Sequence, residues 1–301
     1  MKVLITGATG LIGSQIIEDC IKSNIKVNFL TTSKSKITKS NLVNGYYWDP
    51  NKKIIDLECF REVNSIITLS GSSIFKLWTS GNRRRILDSR VESLNFLRQS
   101  IIDNNISIKR LVSASGISLY PNSKEREFLE NEKTFDDSFL AEVINSWEVA
   151  ANLFKNIGIN VSIIRIGLVL SIKGGVLKET LMPMNFGFGI VFGHGEQWQS
   201  WIHIEDISRI FLFIMKNNLD GVYNGVSNNP VKNIEFTRII SVIHRKPMII
   251  IKIPKIFFRI LFGEMHVLLF KSHKISSRKI QDEGFSFKFA NLKDAIKDII
   301  R

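Results

Sequence analysis

Lys2-Val3-Leu4-Ile5-Thr6 runs straight into Gly7-Ala8-Thr9-Gly10-Leu11-Ile12-Gly13, and this stretch decides the fold. Three consecutive large aliphatics suit a strand covered on both faces. The glycines that follow, spaced GxxGxxG, supply what a dinucleotide pyrophosphate needs. The first makes a tight turn out of the strand, the second lets backbone come close to phosphate, and the third lets the next helix pack on the strand. Free N–H groups and a partial positive charge at the helix start complete an anion site. Gly7, Thr9, Gly10, Leu11, Ile12 and Gly13 are therefore expected to hold a dinucleotide.

Downstream, short β-rich runs at 26–31, 65–69, 110–114 and 160–166 alternate with helical patterns at 10–23, 83–103 and 139–156. Alternation of this kind implies βαβ units with right-handed crossovers. The expected architecture is α/β: a Rossmann-type doubly wound parallel sheet over residues 1–166. After Gly167 the alternation fades into the glycine-marked turns at Gly174-Gly175, Gly187, Gly189, Gly193 and Gly195, with helices expected at 206–217 and 234–243. Residues 167–301 read as a smaller C-terminal substrate lobe, interleaved with the first and laid over the C-terminal edge of the sheet.

The composition suits one large or two small domains: 301 residues, 44% hydrophobic and 23% charged. Cys20 and Cys59 belong to no Cys/His cluster, so neither a disulfide scaffold nor a metal site is expected. The apolar stretch from Met248 to Phe270 is broken by Lys252, Pro254, Lys255, Arg259, Glu264 and His266, too often for a membrane span. With the first strand starting at Lys2 and no signal peptide recognisable, a cytoplasmic protein is expected. The net charge is +13, and residues 231–301 hold fifteen Lys/Arg against six Asp/Glu. A solvated basic surface is the plainer reading. The functional one is a pocket or face for an anionic partner, whether a small phosphorylated substrate, a nucleic acid or an anionic membrane, and without a nucleic-acid motif no nucleic-acid partner is expected.

The end of the second strand bears on cofactor choice. An NAD site places a carboxylate there for the ribose 2′-hydroxyl. Here Thr31-Thr32-Ser33-Lys34-Ser35-Lys36 carries none, and hydroxyls with lysines suit a 2′-phosphate. Thr31, Thr32 and Ser33, with charge from Lys34 or Lys36, make NADP the expected cofactor ahead of NAD.

Further motifs, in order, carry a family resemblance. They are Leu69-Ser70-Gly71-Ser72-Ser73-Ile74, Ser89-Arg90-Val91, Ser113-Ala114-Ser115-Gly116-Ile117, Phe139-Leu140-Ala141-Glu142 with Trp147-Glu148, Arg165 to Leu170, Ser200 to Asp206 and Gly263-Glu264. With the opening turn they resemble the extended short-chain dehydrogenase/reductases, within an atypical epimerase-family branch of the SDR39U1 and YfcH type with a DUF1731-type C-terminus. The resemblance spans nearly the whole chain. It implies that Leu69, Ser70 and Gly71 face adenosine and pyrophosphate. It puts Arg90 where typical members carry an asparagine near the cofactor, and Leu168 and Val169 beside the nicotinamide. A homodimer through the helices at 83–103 and 139–156 is expected from the superfamily alone.

The same resemblance exposes a gap. Typical members use a Ser/Thr and a Tyr-x-x-x-Lys pair for acid/base work. Alignment puts Gly116, Leu140 and Ile144 at those positions, and no tyrosine of this chain is followed by lysine four residues later. Tyr120, Glu142 and Ser115 are the expected substitutes. His203 is read as a loop-fixing histidine and Asp206 as a helix cap. Two function classes follow: an NADP-dependent oxidoreductase or epimerase acting on a carbonyl or sugar-nucleotide substrate, or a non-catalytic NADP(H)-binding sensor, a role suited to the cell-division label some relatives carry.

Overall fold

The computed structural model describes residues 1–244 and 248–300. Its centre is an eight-stranded sheet of β1 (Lys2–Thr6), β2 (Lys26–Thr31), β3 (Val43–Asp49), β4 (Ile54–Ile55), β5 (Ser65–Thr68), β6 (Arg110–Gly116), β7 (Asn160–Ile166) and β8 (Gly221–Gly225). The spatial order is β8-β7-β6-β5-β1-β2-β3-β4. Every neighbouring pair is parallel except β3 with β4. Strand order reverses between β1 and β5, which opens a crevice where both strands end, the position at which open α/β sheets bind ligands.

The apolar runs explain the centre of the sheet. All four residues of β5 and the first six of β6 are buried, as expected for strands covered on both faces. Helices α1 (Leu11–Lys22), α2 (Ser80–Asp103), α3 (Phe139–Asn152), α4 (Val176–Met184), α5 (Ile204–Lys216), α6 (Asn233–His244) and α7 (Lys255–Phe262) follow in chain order. α1 packs with α5 and α2 with α3. Right-handed crossovers leaving β1 and β5 in opposite directions put these two pairs on opposite faces.

Sequence periodicity places β1, β2 and β7 to the residue, but misses β3, β4 and β8. Val43-Asn44-Gly45-Tyr46-Tyr47-Trp48-Asp49 buries only two of its seven residues, so no apolar run marks it. The helix read as 139–156 leaves α-geometry at Asn152 and tightens into a 3-10 turn, Leu153–Ile157, closed by Gly158 at φ +78°. α2 begins at Ser80, three residues before the expected start, because the Thr79 side chain accepts the Asn82 N–H and caps it.

Beyond Gly167 the chain divides its residues. α5 and β8 return to the main sheet. α4, α6 and a terminal helix, Leu292–Ile300, enclose a second core built on Trp201, Phe236, Leu177 and Ile296. A two-stranded parallel ribbon, Phe188–Phe192 with Ile249–Ile253, leads into α7. No helix among the described residues is long and apolar enough to cross a membrane, and no group of three or more His, Cys, Asp or Glu side chains among them could hold a metal ion.

Candidate functional site

The glycine turn shows why each glycine is there. Gly7 sits at φ +69°, and a Cβ would lie 2.6 Å from the Leu69 carbonyl carbon, so the exit loops of β1 and β5 touch only because Gly7 has no side chain. A Cβ on Gly13 would stand 2.4 Å from the Gly7 carbonyl oxygen, which fixes how closely α1 follows β1. Gly10 differs. Its backbone is ordinary extended, at φ −82°, and a Cβ there would meet only the Gly7 oxygen at 3.2 Å. Protein atoms leave the space beside Gly10 open, and it faces the start of α1. The first α-helical N–H with a partner is that of Ser14, bonded to the Gly10 carbonyl at 3.0 Å, and no side chain caps the helix. The N–H groups of Leu11, Ile12 and Gly13 thus have no intrahelical acceptor.

Two cavities flank this turn. The first, about 580 Å³, is lined by Gly7, Thr9, Thr31, Thr32, Ser70 and Gly71, together with Trp48, Pro50 and Asn51 around β3 and the Arg84 and Arg85 side of α2. The second, about 410 Å³, is lined by Leu11, Ile12, Arg90, Leu168 and Val169 and is mostly apolar. Eleven of the fifteen residues expected from sequence to bind the cofactor thus lie on one of two walls. Gly10, Gly13 and Leu69 shape the turn between them. Ser33 points elsewhere: its hydroxyl bonds that of Ser35 at 2.8 Å. Neither Lys34 nor Lys36 lines the first cavity, and the Lys34 ammonium lies 5.2 Å from the Tyr47 ring centre.

Cations on α2 take the place expected for those lysines. Arg83-Arg84-Arg85 sits in the first two turns of α2, where the helix dipole disfavours positive charge. Arg83 is occupied by Glu264 at 2.5 Å and by the Phe139 ring at 4.8 Å. Arg84 reaches Asp88 at 3.4 Å, whereas Arg85 has no carboxylate within 4 Å among the described residues. The linear signal was the unfavourable run itself. What it could not reveal was that the fold sets these arginines on the same cavity as Thr31 and Thr32.

Arg90 is another cation of the site with no carboxylate within 4 Å among the described residues. Its guanidinium stacks 5.1 Å from the Trp147 ring centre and donates to the Ile86 and Ser72 carbonyls at 2.9 and 3.2 Å. A Cβ on Gly71 would lie 2.8 Å from its central carbon. Burial without a carboxylate partner lowers its pKa to about 10. An anion bound in the crevice would supply the missing countercharge.

The corner of the second cavity where the alignment puts the usual acid/base positions is apolar. Gly116, Leu140 and Ile144 all line it, so the three positions deduced from the alignment do converge, and none carries a titratable group. Ser115 lines it as well, its hydroxyl donating to Glu148 at 2.6 Å. Glu148 is held by a two-pronged Arg165 fork at 2.8 and 2.9 Å.

Two of the expected substitutes stand elsewhere. Tyr120 is 0% exposed, lines neither cavity, donates to Asn224 at 2.8 Å and accepts from Arg165 at 3.0 Å. Burial pushes its phenol up to about 12. Nearness along the chain to the usual hydroxyl is not nearness in space here, because a 3-10 turn at Ile117–Leu119 carries Tyr120 into the core. Glu142 is on the right helix but on its exposed side. His203, not Asp206, caps α5, its Nδ1 accepting the Glu205 N–H at 3.1 Å. Asp206 instead accepts the N–H groups of Lys288 and Phe289 at 2.9 and 2.8 Å and ties the C-terminal segment to α5. His273, not foreseen, also lines the second cavity. Its Nε2 bonds the Tyr120 carbonyl at 3.0 Å, and burial lowers its pKa to about 4, so the ring is neutral near pH 7.

Fold, glycine turn and paired cavities define a dinucleotide-binding protein of the extended short-chain dehydrogenase/reductase class. Residues 3–228 match the NAD dependent epimerase/dehydratase family, and residues 253–299 match a domain of unknown function, DUF1731. The chain belongs to the NAD dependent epimerase/dehydratase family. It is 30% identical over 300 residues to the epimerase family protein SAR0825 of Staphylococcus aureus strain MRSA252, covering 99% of both chains. Its fold resembles that of the human epimerase family protein SDR39U1 (isoform 2), solved with NADPH, at a TM-score of 0.86 and 24% identity, over 99% of each chain. A UDP-glucuronic acid 4-epimerase from Bacillus cereus, solved with UDP-glucuronic acid and NAD, matches at a TM-score of 0.81 and 16% identity, over 99% of this chain and 98% of that one.

Proposed function

We propose that this chain binds NADP(H) across the two cavities and works as an oxidoreductase on a small, largely apolar carbonyl compound, without the usual tyrosine and lysine. The observation that carries it is the pairing of a polar, arginine-flanked cavity with an apolar one on either side of a glycine turn. In this reading the N–H groups of Leu11, Ile12 and Gly13 hold the pyrophosphate, with Arg90 as countercharge. Adenosine occupies the first cavity, its 2′-phosphate between the Thr31 and Thr32 hydroxyls and Arg85, with Arg84 beside it. Leu168 and Val169 line the nicotinamide end. When bound, the cofactor supplies or accepts a hydride.

The apolar wall argues for a small carbonyl compound over a sugar nucleotide. A sugar's hydroxyls, once desolvated, need hydrogen-bond partners; Leu140, Val143, Ile144, Leu168 and Val169 offer none, and the polar side chains there, Ser115, Ser118, Gln199, Lys271 and His273 among them, are the minority of the lining. Ser115 is the hydroxyl on that wall assigned to polarise a substrate oxygen: its one proton, donated to Glu148 in this structure, would turn to the substrate while the Arg165 fork keeps Glu148 balanced. The second reading, a cofactor-dependent sensor, is favoured by one observation, the apolar triplet Gly116, Leu140 and Ile144.

Single-turnover oxidation of bound NADPH by a panel of aldehydes and ketones separates the two. Turnover that falls about 10²–10³-fold in Ser115→Ala supports the oxidoreductase, as for loss of one oxyanion donor, while Tyr120→Phe and Glu142→Gln stay near wild type. Tight cofactor binding with no turnover on any compound supports the sensor. Cofactor choice is tested by calorimetry. NADPH is expected to bind more tightly than NADH, and Arg84→Ala with Arg85→Ala should weaken NADPH about ten-fold or more, the worth of a charge-assisted hydrogen bond, leaving NADH within about two-fold. Equal loss for both cofactors would remove these arginines from the 2′-phosphate site.

A further inference from the structure

The face formed by α7 and the Ile249–Ile253 strand has no part in the cofactor site, and its chemistry is unusual for a surface. α7 is anchored from beneath: the Phe258 ring packs 5.2 Å from Phe192 and 5.6 Å from Phe270. With Phe258 turned inward, helical periodicity sends Ile256 and Ile260 to the outer side and sets Phe257 and Leu261 on the flank. They are 55%, 57%, 75% and 68% exposed. The strand before α7 adds Ile249, Ile250 and Ile251, and Phe186, one residue before the Gly187 carbonyl that accepts the Ile249 N–H, is 78% exposed. Exposed apolar side chains this dense along one segment mark an interaction site.

Charge identifies the partner. From Met248 to Phe262 the chain carries Lys252, Lys255 and Arg259 and not one carboxylate. A cleft of about 520 Å³ opens beside this face, lined by Lys124, Lys252, Lys255 and His194. Glu196, the carboxylate on its wall, is already taken by Lys232 at 2.6 Å. None of Lys124, Lys252, Lys255 and Arg259 has a carboxylate within 4 Å among the described residues. Two copies meeting through this face would bring those cations together, which opposes self-association. A bilayer with anionic headgroups answers both features at once, accepting the aliphatic and phenyl side chains at its acyl boundary and offering phosphates to the lysines.

We propose that the α7 face docks this protein peripherally on anionic lipid bilayers, with Ile256, Phe257, Ile260 and Leu261 entering the interface and Lys124, Lys252 and Lys255 engaging lipid phosphates. The proposal does not depend on the cofactor reading.

The test is co-sedimentation of the full chain with vesicles of phosphatidylcholine alone and of phosphatidylcholine with about one third phosphatidylglycerol, at low and high salt. Binding to the anionic vesicles is expected to exceed binding to neutral ones at least ten-fold and to fall as salt rises. Each lysine near the surface contributes about five-fold in partitioning, so Lys252→Gln with Lys255→Gln should weaken it about 25-fold. Ile260→Asp with Leu261→Asp should abolish it, and because both side chains are exposed, thermal unfolding should not change. No sedimentation with anionic vesicles, equal binding to neutral ones, or binding indifferent to both pairs of changes would overturn the proposal. So would a dimer seen by light scattering that Ile260→Asp with Leu261→Asp dissolves, since the face would then belong to a second copy.

Discussion

Gly10→Val is expected to lower NADPH affinity by more than about 100-fold while leaving the protein folded. Each hydrogen bond from a helix N-terminus to a charged phosphate contributes about 1.5–3 kcal/mol, and a valine at position 10 would keep the pyrophosphate from the N–H groups of Leu11, Ile12 and Gly13. The fold should tolerate the change, because Gly10 has an ordinary φ of −82° and its Cβ would meet a single protein atom, at 3.2 Å. The expected structural cost is about 1 kcal/mol, the penalty for an apolar residue at a helix start. Gly7→Ala is the contrasting control. Its left-handed φ and the Leu69 carbonyl carbon 2.6 Å from the added carbon should destabilise the turn itself. Calorimetric titration beside thermal unfolding distinguishes the two outcomes. A Gly10→Val protein that binds NADPH normally would show that the phosphates lie elsewhere.

The second large effect is on stability. Arg165→Met should cost about 3–5 kcal/mol, because it leaves Glu148 buried without its countercharge. Both side chains are nearly inaccessible, 4% exposed for Arg165 and 11% for Glu148. Burial opposes the charge on Arg165, but the Glu148 fork outweighs it and raises the guanidinium above its ordinary value. The same change strips one donor from Tyr120. For a chain this size the loss corresponds to roughly 5–8 °C in Tm. Glu148→Leu combined with Arg165→Met should be less damaging than Arg165→Met alone, since no lone charge remains. A single variant within about 1 kcal/mol of wild type in urea denaturation would show that the pair is solvated in solution.

Much of this molecule was legible in the chain, and the reasons differ by region. The β1 turn could be read because glycine spacing, flanking strand and helix start are local, and the phosphate site they form uses backbone. Gly116, Leu140 and Ile144 could be read because they are defined by position along β6 and α3, two regular elements. What failed was the passage from sequence distance to spatial distance. Tyr120 is four residues from Gly116, yet a 3-10 turn buries it, and Glu142 shares a helix with Leu140 but points away from it. The first cavity's Trp48 comes from a strand with no apolar run, Pro50 and Asn51 from the 3-10 turn that follows it, and Arg84 and Arg85 from a helix that meets β2 only in three dimensions. No local pattern records such meetings.

The apolar corner of the second cavity also bears on how this lineage can change. A side chain at Gly116 would press on Ile144, whose Cδ1 lies 3.2 Å from the position of the new Cβ. A lysine in place of Ile144 would stand among Leu140, Val143 and Leu119 with no tyrosine or cofactor-side partner arranged to receive it. A tyrosine in place of Leu140 would stand at the wall of the second cavity with no lysine beside it to lower its pKa. Each step toward the usual acid/base set is therefore unfavourable by itself, and only the three together recover anything. Substitutions that tune the apolar wall can be made one at a time, while ordinary dehydrogenase chemistry would need three changes at once.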